Sequence, residues 1–373
     1  MPAPDMPAPD ASTSVGLPGV SVVMPVLNEE AHLRSAVETV LGQDYAGPLE
    51  VVLALGPSRD RTGDIAAGLA AADARVRLVP NPTGATGAGL NAAVAAAAHE
   101  VVVRLDGHAL VPPDYVRTAV ETLQRTGADN VGGVMAAQGV TDFEQAVAGA
   151  MTSRLGVGQA SFHVGGEEGP APTVYLGAFR REVLERLGGY DESFLRAQDW
   201  ELNHRIRESG GLVWFTPHLT VTYRPRSSLR ALAMQYAGYG RWRRVVMREH
   251  PGTASARYLA PPAAVLAVGA GTVLGISGWR PALLVPLGYG AAVLAGSVVV
   301  GRGLPPRARA WLPLVLATMH GSWGVGFLAS TPTLRGRVRN RSTRTLTPRW
   351  SAGRRFGGFP PPPGDQSRRT GAG

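Results

Sequence analysis

Asp106-Gly107-His108 closes an apolar run, Val101 to Leu105. Residues two apart on an extended chain point to the same side, so this carboxylate and imidazole can share one divalent ion. Such an ion can bridge diphosphate oxygens. The competing reading is an Asp-Gly turn with no chemistry. A second carboxylate, Asp199, stands between Gln198 and Glu201 in the segment Leu195 to Gly211, with Arg205 one helical turn beyond Glu201. A carboxylate facing a site can deprotonate an acceptor hydroxyl. On a helix surface the same residues are solvated groups around the apolar stripe of Trp200, Leu202 and Ile206.

Four further segments carry polar groups at suggestive places. Pro25 ends a strand-like run and leaves Asn28 and Glu29 at a helix entrance, where Asn28 suits an N-cap or contact with a nucleoside. Gly56 to Asp64 is a turn after a second apolar run, with Ser58 and Asp60 free to bond a ligand or to cap a helix. Asn81 to Val94 places Gly84, Gly87 and Gly89 before an Ala-rich helix; a Gly-rich turn at a helix N-terminus can hold phosphate. It lacks the lysine of a P-loop and the GxGxxG spacing. Gln235 to Arg244, with Arg241 and Trp242, reads as an amphipathic, interfacial helix or as an acceptor or diphosphate site.

The elements that must position these groups follow from periodicity. Apolar runs at Val20–Val26, Leu49–Leu55, Val76–Val79, Val101–Leu105 and Val131–Val134 alternate with helical spacing over Asn28–Leu41, Asp64–Ala72, Gly89–Ala98 and Pro113–Thr126. That alternation predicts an α/β fold with a mostly parallel sheet covered on both faces. Ligands in such sheets bind at the carboxyl ends of the strands, where the loops above begin.

Composition narrows the function. The chain has 373 residues and no Cys, which excludes disulfide frameworks and thiolate chemistry. Ten Arg and one acid, Asp365, lie from Thr331 onward; that segment alone carries +9, the net charge of the whole chain. The preceding residues are neutral overall, which argues against a nucleic-acid partner. Residues 1–19 repeat MPAPD twice and read as a disordered leader. The C-terminal third holds three windows free of formal charge, 258–278, 281–301 and 310–330, each near the roughly 20 residues a bilayer span needs. The Arg-rich loop Arg302 to Arg309 is expected on the cytoplasmic side. The expected organisation is a catalytic domain over 20–227, an amphipathic interfacial helix over 228–256, a membrane region over 257–330 and a basic disordered tail over 331–373.

Taken in order, the six segments resemble an inverting family 2 glycosyltransferase of the GT-A (Rossmann-like) fold, of the membrane-bound succinoglycan or exopolysaccharide biosynthesis type. The likeness runs from about Val20 to Trp242 and continues through His320-Gly-Ser-Trp-Gly-Val-Gly-Phe-Leu. It implies nucleotide-sugar contacts from Pro25, Asn28, Glu29, Ser58, Asp60, Asn91, Arg104 and Asp106. It implies a divalent cation, Mn²⁺ or Mg²⁺, on Asp106 and His108, and Asp199 as catalytic base. Glu201, Arg205, Gln235, Arg241 and Trp242 are implied on the acceptor and diphosphate side. Leu55 stands where many members carry an Asp that bonds the base, so the nucleotide is left open. His108 replaces a second Asp, and Gln198 an acid beside the base.

The chemistry implied is transfer of a sugar to a membrane-associated, lipid-linked or other glycan acceptor, by a multi-pass plasma-membrane enzyme with its catalytic domain in the cytoplasm. Two rivals stand beside it: a polyprenyl-phosphate sugar transferase, whose acceptor needs no base, and a membrane-anchored scaffold with a decayed site.

Overall fold

The computed structural model describes residues 16–332 and residue 334. Strands β1 (Val20–Val26), β2 (Leu49–Leu55), β3 (Val76–Pro80) and β4 (Val101–Arg104) alternate with helices α1 (Leu33–Leu41), α2 (Thr62–Ala72), α3 (Thr86–Ala96) and α4 (Tyr115–Thr126). The chain continues through β5 (Asn130–Ala137), α5 (Asp142–Met151) and the short helices α6 (Arg154–Val157) and α7 (Ser161–Val164). Strands β6 (Gly169–Pro170) and β7 (Tyr175–Arg180), helices α8 (Arg181–Leu187) and α9 (Gln198–Glu208), and β8 (Val213–Tyr223) complete the sheet region. The eight strands lie in the order β3-β2-β1-β4-β7-β5-β8-β6. β1 to β4 pair in parallel; β7 runs antiparallel between β4 and β5, and β5 pairs in parallel with β8.

Both faces of this sheet are buried, which is why its parallel strands are continuous apolar runs. One core gathers α1, α2 and α4 against β1, β2 and β4; the other gathers α3, α8 and α9. Ser21 is a polar residue inside β1, and its hydroxyl donates to Glu50 at 2.6 Å. Leu33, Ala36, Val37 and Val40 give α1 its buried stripe. That helix starts at Leu33 rather than at Asn28, because Asn28 holds a left-handed φ of 56° that a helix cannot include.

Beyond the sheet lie α10 (Leu229–Glu249), α11 (Ala256–Ile276), α12 (Leu284–Val300) and α13 (Pro306–Leu328). Among the described residues two helical segments, Ala256–Ile276 and Arg280–Gly303, are long and apolar enough to cross a membrane. They leave Leu266, Val273, Ile276, Leu284, Leu287 and Val298 largely exposed, an apolar surface of the kind that marks a membrane or protein contact. The third expected window, 310–330, behaves differently. It lies in α13, which buries Leu312, Val315, Leu316 and Met319 in a core shared with α5 and α10. The apolar residues Leu232 and Tyr236 of α10 lie in that same core, which docks the helix on α13. The expected leader and tail fall, apart from a few residues next to the folded region, outside the described residues.

The contact between α10 and α13 depends on glycine. A methyl group at Gly240 would overlap the carbonyl oxygen of Trp323, and one at Gly326 would overlap that of Ala237. Gly240→Ala is expected to destabilise the protein by about 1–3 kcal/mol, because backbone blocks the added atom. Thermal unfolding in detergent checks this: Tm should fall by several degrees. Gly321→Ala, where nothing lies within 4 Å of the added carbon, should not lower Tm and should raise it slightly through helix propensity.

Candidate active site

The carboxyl ends of β1, β2 and β4 meet at one edge, and the first two loops lock each other. The Asn28 N–H donates to Ser58 Oγ at 3.0 Å, and the Arg59 N–H donates to Asn28 Oδ1 at 2.9 Å. Asp60 Oδ1 accepts from the Thr62 hydroxyl and Oδ2 from the Glu30 N–H, while the Glu29 N–H donates to Thr62 Oγ1 at 2.7 Å. Asn28, Ser58 and Asp60 thus hold the two loops together. None of the three lines the cavity beside them, whereas Pro25 and Glu29 do.

The β4 loop brings Asp106 and His108 to the same place. Glu29 Oε1 lies 2.8 Å from His108 Nδ1, and this bond raises the imidazole above its ordinary value against the opposing effect of burial. A side chain at Gly107 would press on Glu29 Cγ at 3.1 Å, so the small residue admits the Glu29 side chain beneath the turn. Among the described residues no group of three His, Cys, Asp or Glu side chains could hold a metal alone. Asp106 and His108 nonetheless fit a cation that takes the rest of its ligands from substrate phosphates and water, as Mg²⁺ commonly does.

Arg104 connects this edge to the other carboxylate. Its Nη2 donates to Asp106 Oδ1 at 3.3 Å and its Nη1 is bonded to Asp199 Oδ1. Only 6% of the Arg104 side chain is exposed, against 25% for Asp106 and 23% for Asp199. The guanidinium lies 5.6 Å from the centre of the Tyr190 ring. Burial opposes its charge, but Asp106 and the Tyr190 and Tyr175 hydroxyls outweigh that and raise it. Asp199 occupies the first turn of α9, where the helix dipole favours a negative group. Ala197, just before the helix, is held at a φ of 64°. Left-handed non-glycine residues persist only where the surroundings over-determine them.

Four of the expected ligand contacts are bonded within the protein. Asn91 is buried on α3; its amide donates to the Tyr190 carbonyl at 2.9 Å and accepts from the Tyr190 N–H at 2.8 Å. Arg205 makes two bonds to Glu201, at 2.7 and 2.8 Å, and others to the carbonyls of Leu187 and Gly189. Glu201 and Arg205 thus hold the Gly188-Gly189-Tyr190 turn, and with Asn91 they lie outside the cavity lining. Gln235 is buried and donates to the Tyr223 and Tyr239 hydroxyls at 2.7 and 2.8 Å. On α10 the helical phase decides between neighbours. Trp242 lines the cavity and packs on Phe194, with ring centres 5.8 Å apart. Arg241 is exposed, and Arg243 takes the cavity-lining place expected of it.

These groups surround a cavity of about 920 Å³ that runs from Pro25, Arg104 and Asp106 past Asp199 to α11 and α13. Its acids, Glu29, Asp106 and Asp199, cluster at the sheet end. Arg154, Arg196, Arg243 and Arg257 line the rest, and the sequence reading named none of them. They come from α6, a loop and two helices, so no motif spacing joins them; only the charged Arg257 at the foot of an apolar window offered a signal.

Residues 21–188 match the family Glycosyl transferase family 2. The succinoglycan biosynthesis protein ExoA of Rhizobium meliloti (strain 1021) is 33% identical over 320 residues, covering 85% of this chain and 96% of that protein. A dolichyl N-acetyl-α-D-glucosaminyl phosphate 3-β-D-2,3-diacetamido-2,3-dideoxy-β-D-glucuronosyltransferase from Methanococcus voltae is 23% identical over 62% of this chain and 74% of its own. Among solved structures, the mannosyltransferase PcManGT from Pyrobaculum calidifontis, in complex with GDP-Man and Mn²⁺, superposes with a TM-score of 0.58 at 22% identity, over 84% of this chain and 88% of that one. The GT-A fold expected from the sequence is thus the one observed. With sequence likeness extending over nearly all of the Rhizobium protein, the chain belongs to glycosyltransferase family 2 and is a glycosyltransferase.

Proposed function

We propose that the protein moves a sugar, with inversion, from a nucleotide-sugar donor to a membrane-associated, lipid-linked saccharide in exopolysaccharide or cell-envelope glycan synthesis. The observation that carries this reading is the Arg104 fork, which joins a donor-side carboxylate, Asp106, to an acceptor-side carboxylate, Asp199, inside one cavity. Asp199 takes the proton of the acceptor hydroxyl as that oxygen bonds the anomeric carbon, and the nucleoside diphosphate departs with the electron pair of the broken bond. A divalent cation, held by Asp106 and His108, would offset charge on the departing diphosphate. The Mn²⁺ and GDP-Man of the Pyrobaculum structure, the role named for the Rhizobium protein and the dolichyl phosphate sugar named for the Methanococcus enzyme support donor, pathway and acceptor in turn.

Two apolar helices support a multi-pass membrane protein. Arg302 in the turn after α12, with Arg307 and Arg309 in the first turn of α13, supports a cytoplasmic catalytic domain. The domain boundaries proposed are those read from the sequence, with α13 joined to α10 rather than set apart as an isolated span.

A donor screen on the purified protein tests the reading. Release of nucleoside diphosphate is followed across UDP-, GDP- and dTDP-sugars with and without Mn²⁺ or Mg²⁺; one donor should be turned over in a metal-dependent way. Asp106→Asn should weaken metal-dependent nucleotide binding about 10–100-fold. An unchanged affinity in saturating Mn²⁺ would remove Asp106 from the donor site.

A further inference from the structure

The cavity has an end that the transfer chemistry does not use. Arg243 of α10 and Arg257 of α11 flank one aromatic ring: their guanidinium carbons lie 4.1 and 4.5 Å from the centre of Tyr258. Arg243 also lies 4.7 Å from the Trp200 ring centre. Its Nη1 is buried with no hydrogen-bond partner among the described residues. Arg257 donates to the Tyr258 hydroxyl at 2.7 Å. Among the described residues neither Arg243 nor Arg257 forms an ion pair with a carboxylate.

Two like charges around one ring, one of them buried, are unfavourable without an anion. Contact with aromatic faces recovers only about 0.5–2 kcal/mol for each cation. Burial without a neighbouring acid pulls Arg243 down to about 10, which still leaves it charged at neutral pH. The chemistry therefore calls for a strongly anionic group, and guanidinium forks match phosphate oxygens. The surroundings say where that phosphate comes from. Tyr258 lies in the first turn of α11, and the cavity wall continues from it along Ala260, Pro261 and Ala264, with Met319, His320 and Trp323 of α13 also in the lining. An apolar cleft at the foot of a membrane-length helix suits a hydrocarbon chain.

We propose that Arg243 and Arg257 bind the phosphate or diphosphate of the acceptor lipid, with its chain in the cleft between α11 and α13. This rests on the membrane-borne acceptor proposed above and names the groups that anchor it.

Farnesyl diphosphate is a soluble probe, titrated into the detergent-purified protein by calorimetry. The wild type should bind it at least about tenfold more tightly than farnesol or inorganic pyrophosphate, since it offers both anion and chain. Arg243→Gln with Arg257→Gln should weaken it about 10–100-fold, and Arg257→Gln alone, at an exposed position, about tenfold. Affinity for Mn²⁺ with the cognate nucleoside diphosphate should stay at the wild-type value, which also reports that the variants fold. Arg117→Gln, a matched charge loss on α4, should change nothing. Equal binding of farnesol overturns the anion site. Equal binding of pyrophosphate makes it a site for soluble anions and overturns the lipid. Parallel loss of nucleotide and farnesyl diphosphate in Arg257→Gln assigns the pair to the donor. Arg-dependent farnesyl diphosphate binding in a protein that turns over no donor would sink the transfer reading and leave this one standing.

Discussion

Asp199→Asn should lower turnover about 10²–10⁴-fold while nucleotide affinity stays at the wild-type value. The substitution is close to isosteric, and an asparagine Oδ1 can still accept the bond from Arg104 Nη1. The start of α9 and the left-handed Ala197 that precedes it are untouched. What is lost is the ability to take a proton. Steady-state rates with the cognate donor and acceptor, beside calorimetric titration of the nucleoside diphosphate in Mn²⁺, separate the two effects. Wild-type turnover in this variant would move the base elsewhere. It would favour a phosphate acceptor, which arrives already ionised, and so the polyprenyl-phosphate sugar transferase.

Arg104→Lys is expected to reduce kcat by about 10²-fold with a smaller change in donor affinity. A guanidinium presents two nitrogens to two carboxylates at once; an ammonium is a single point and satisfies one of them. The freed carboxylate then drifts, and a displacement of about 1 Å at a reacting group costs about this much. The position is buried over Tyr190, so the charge must be retained for the variant to fold, which makes lysine the informative choice. A kcat equal to the wild type would mean that Asp106 and Asp199 are held in place without the fork.

How much of this was legible in the sequence depended on what each residue type must do. β1, β2 and β4 were readable because parallel strands buried on both faces are mostly apolar, and their loops then fall at one edge without further information; β3, at the sheet edge and largely exposed, was readable from its short apolar run alone. β8 was not: its eleven residues mix Thr, His and Pro with apolar positions. β6 has two residues and no pattern to read. Within the site, polar type did not distinguish a ligand contact from a backbone tie. Asn91 and Arg205 bond the chain around Tyr190, where a buried backbone group needs a partner as much as a substrate does, and Ser58 and Asp60 bond exposed N–H groups of the neighbouring loop. The exchange of Arg241 for Arg243 is a matter of phase. Two residues turn a helix by roughly 200°, so neighbouring arginines on α10 face opposite sides. Arg196 and Arg243 lay inside segments already singled out, but no common spacing joined the four arginines across the cavity.

The glycine contact between α10 and α13 has a consequence for which acceptors are reached. Backbone against backbone leaves no side chain to slide or repack, so the two helices form a stiff bracket. One arm carries Trp242, which packs on Phe194 beside the loop that leads to Asp199; the other stands against α11. If α11 sits in a bilayer, the bracket sets the height of the Asp199 carboxylate above it. On the lipid-linked acceptor proposed above, the enzyme would then work as a ruler: the hydroxyl it reaches is the one at that distance from the lipid surface, and the length of the glycan already built would enter its specificity.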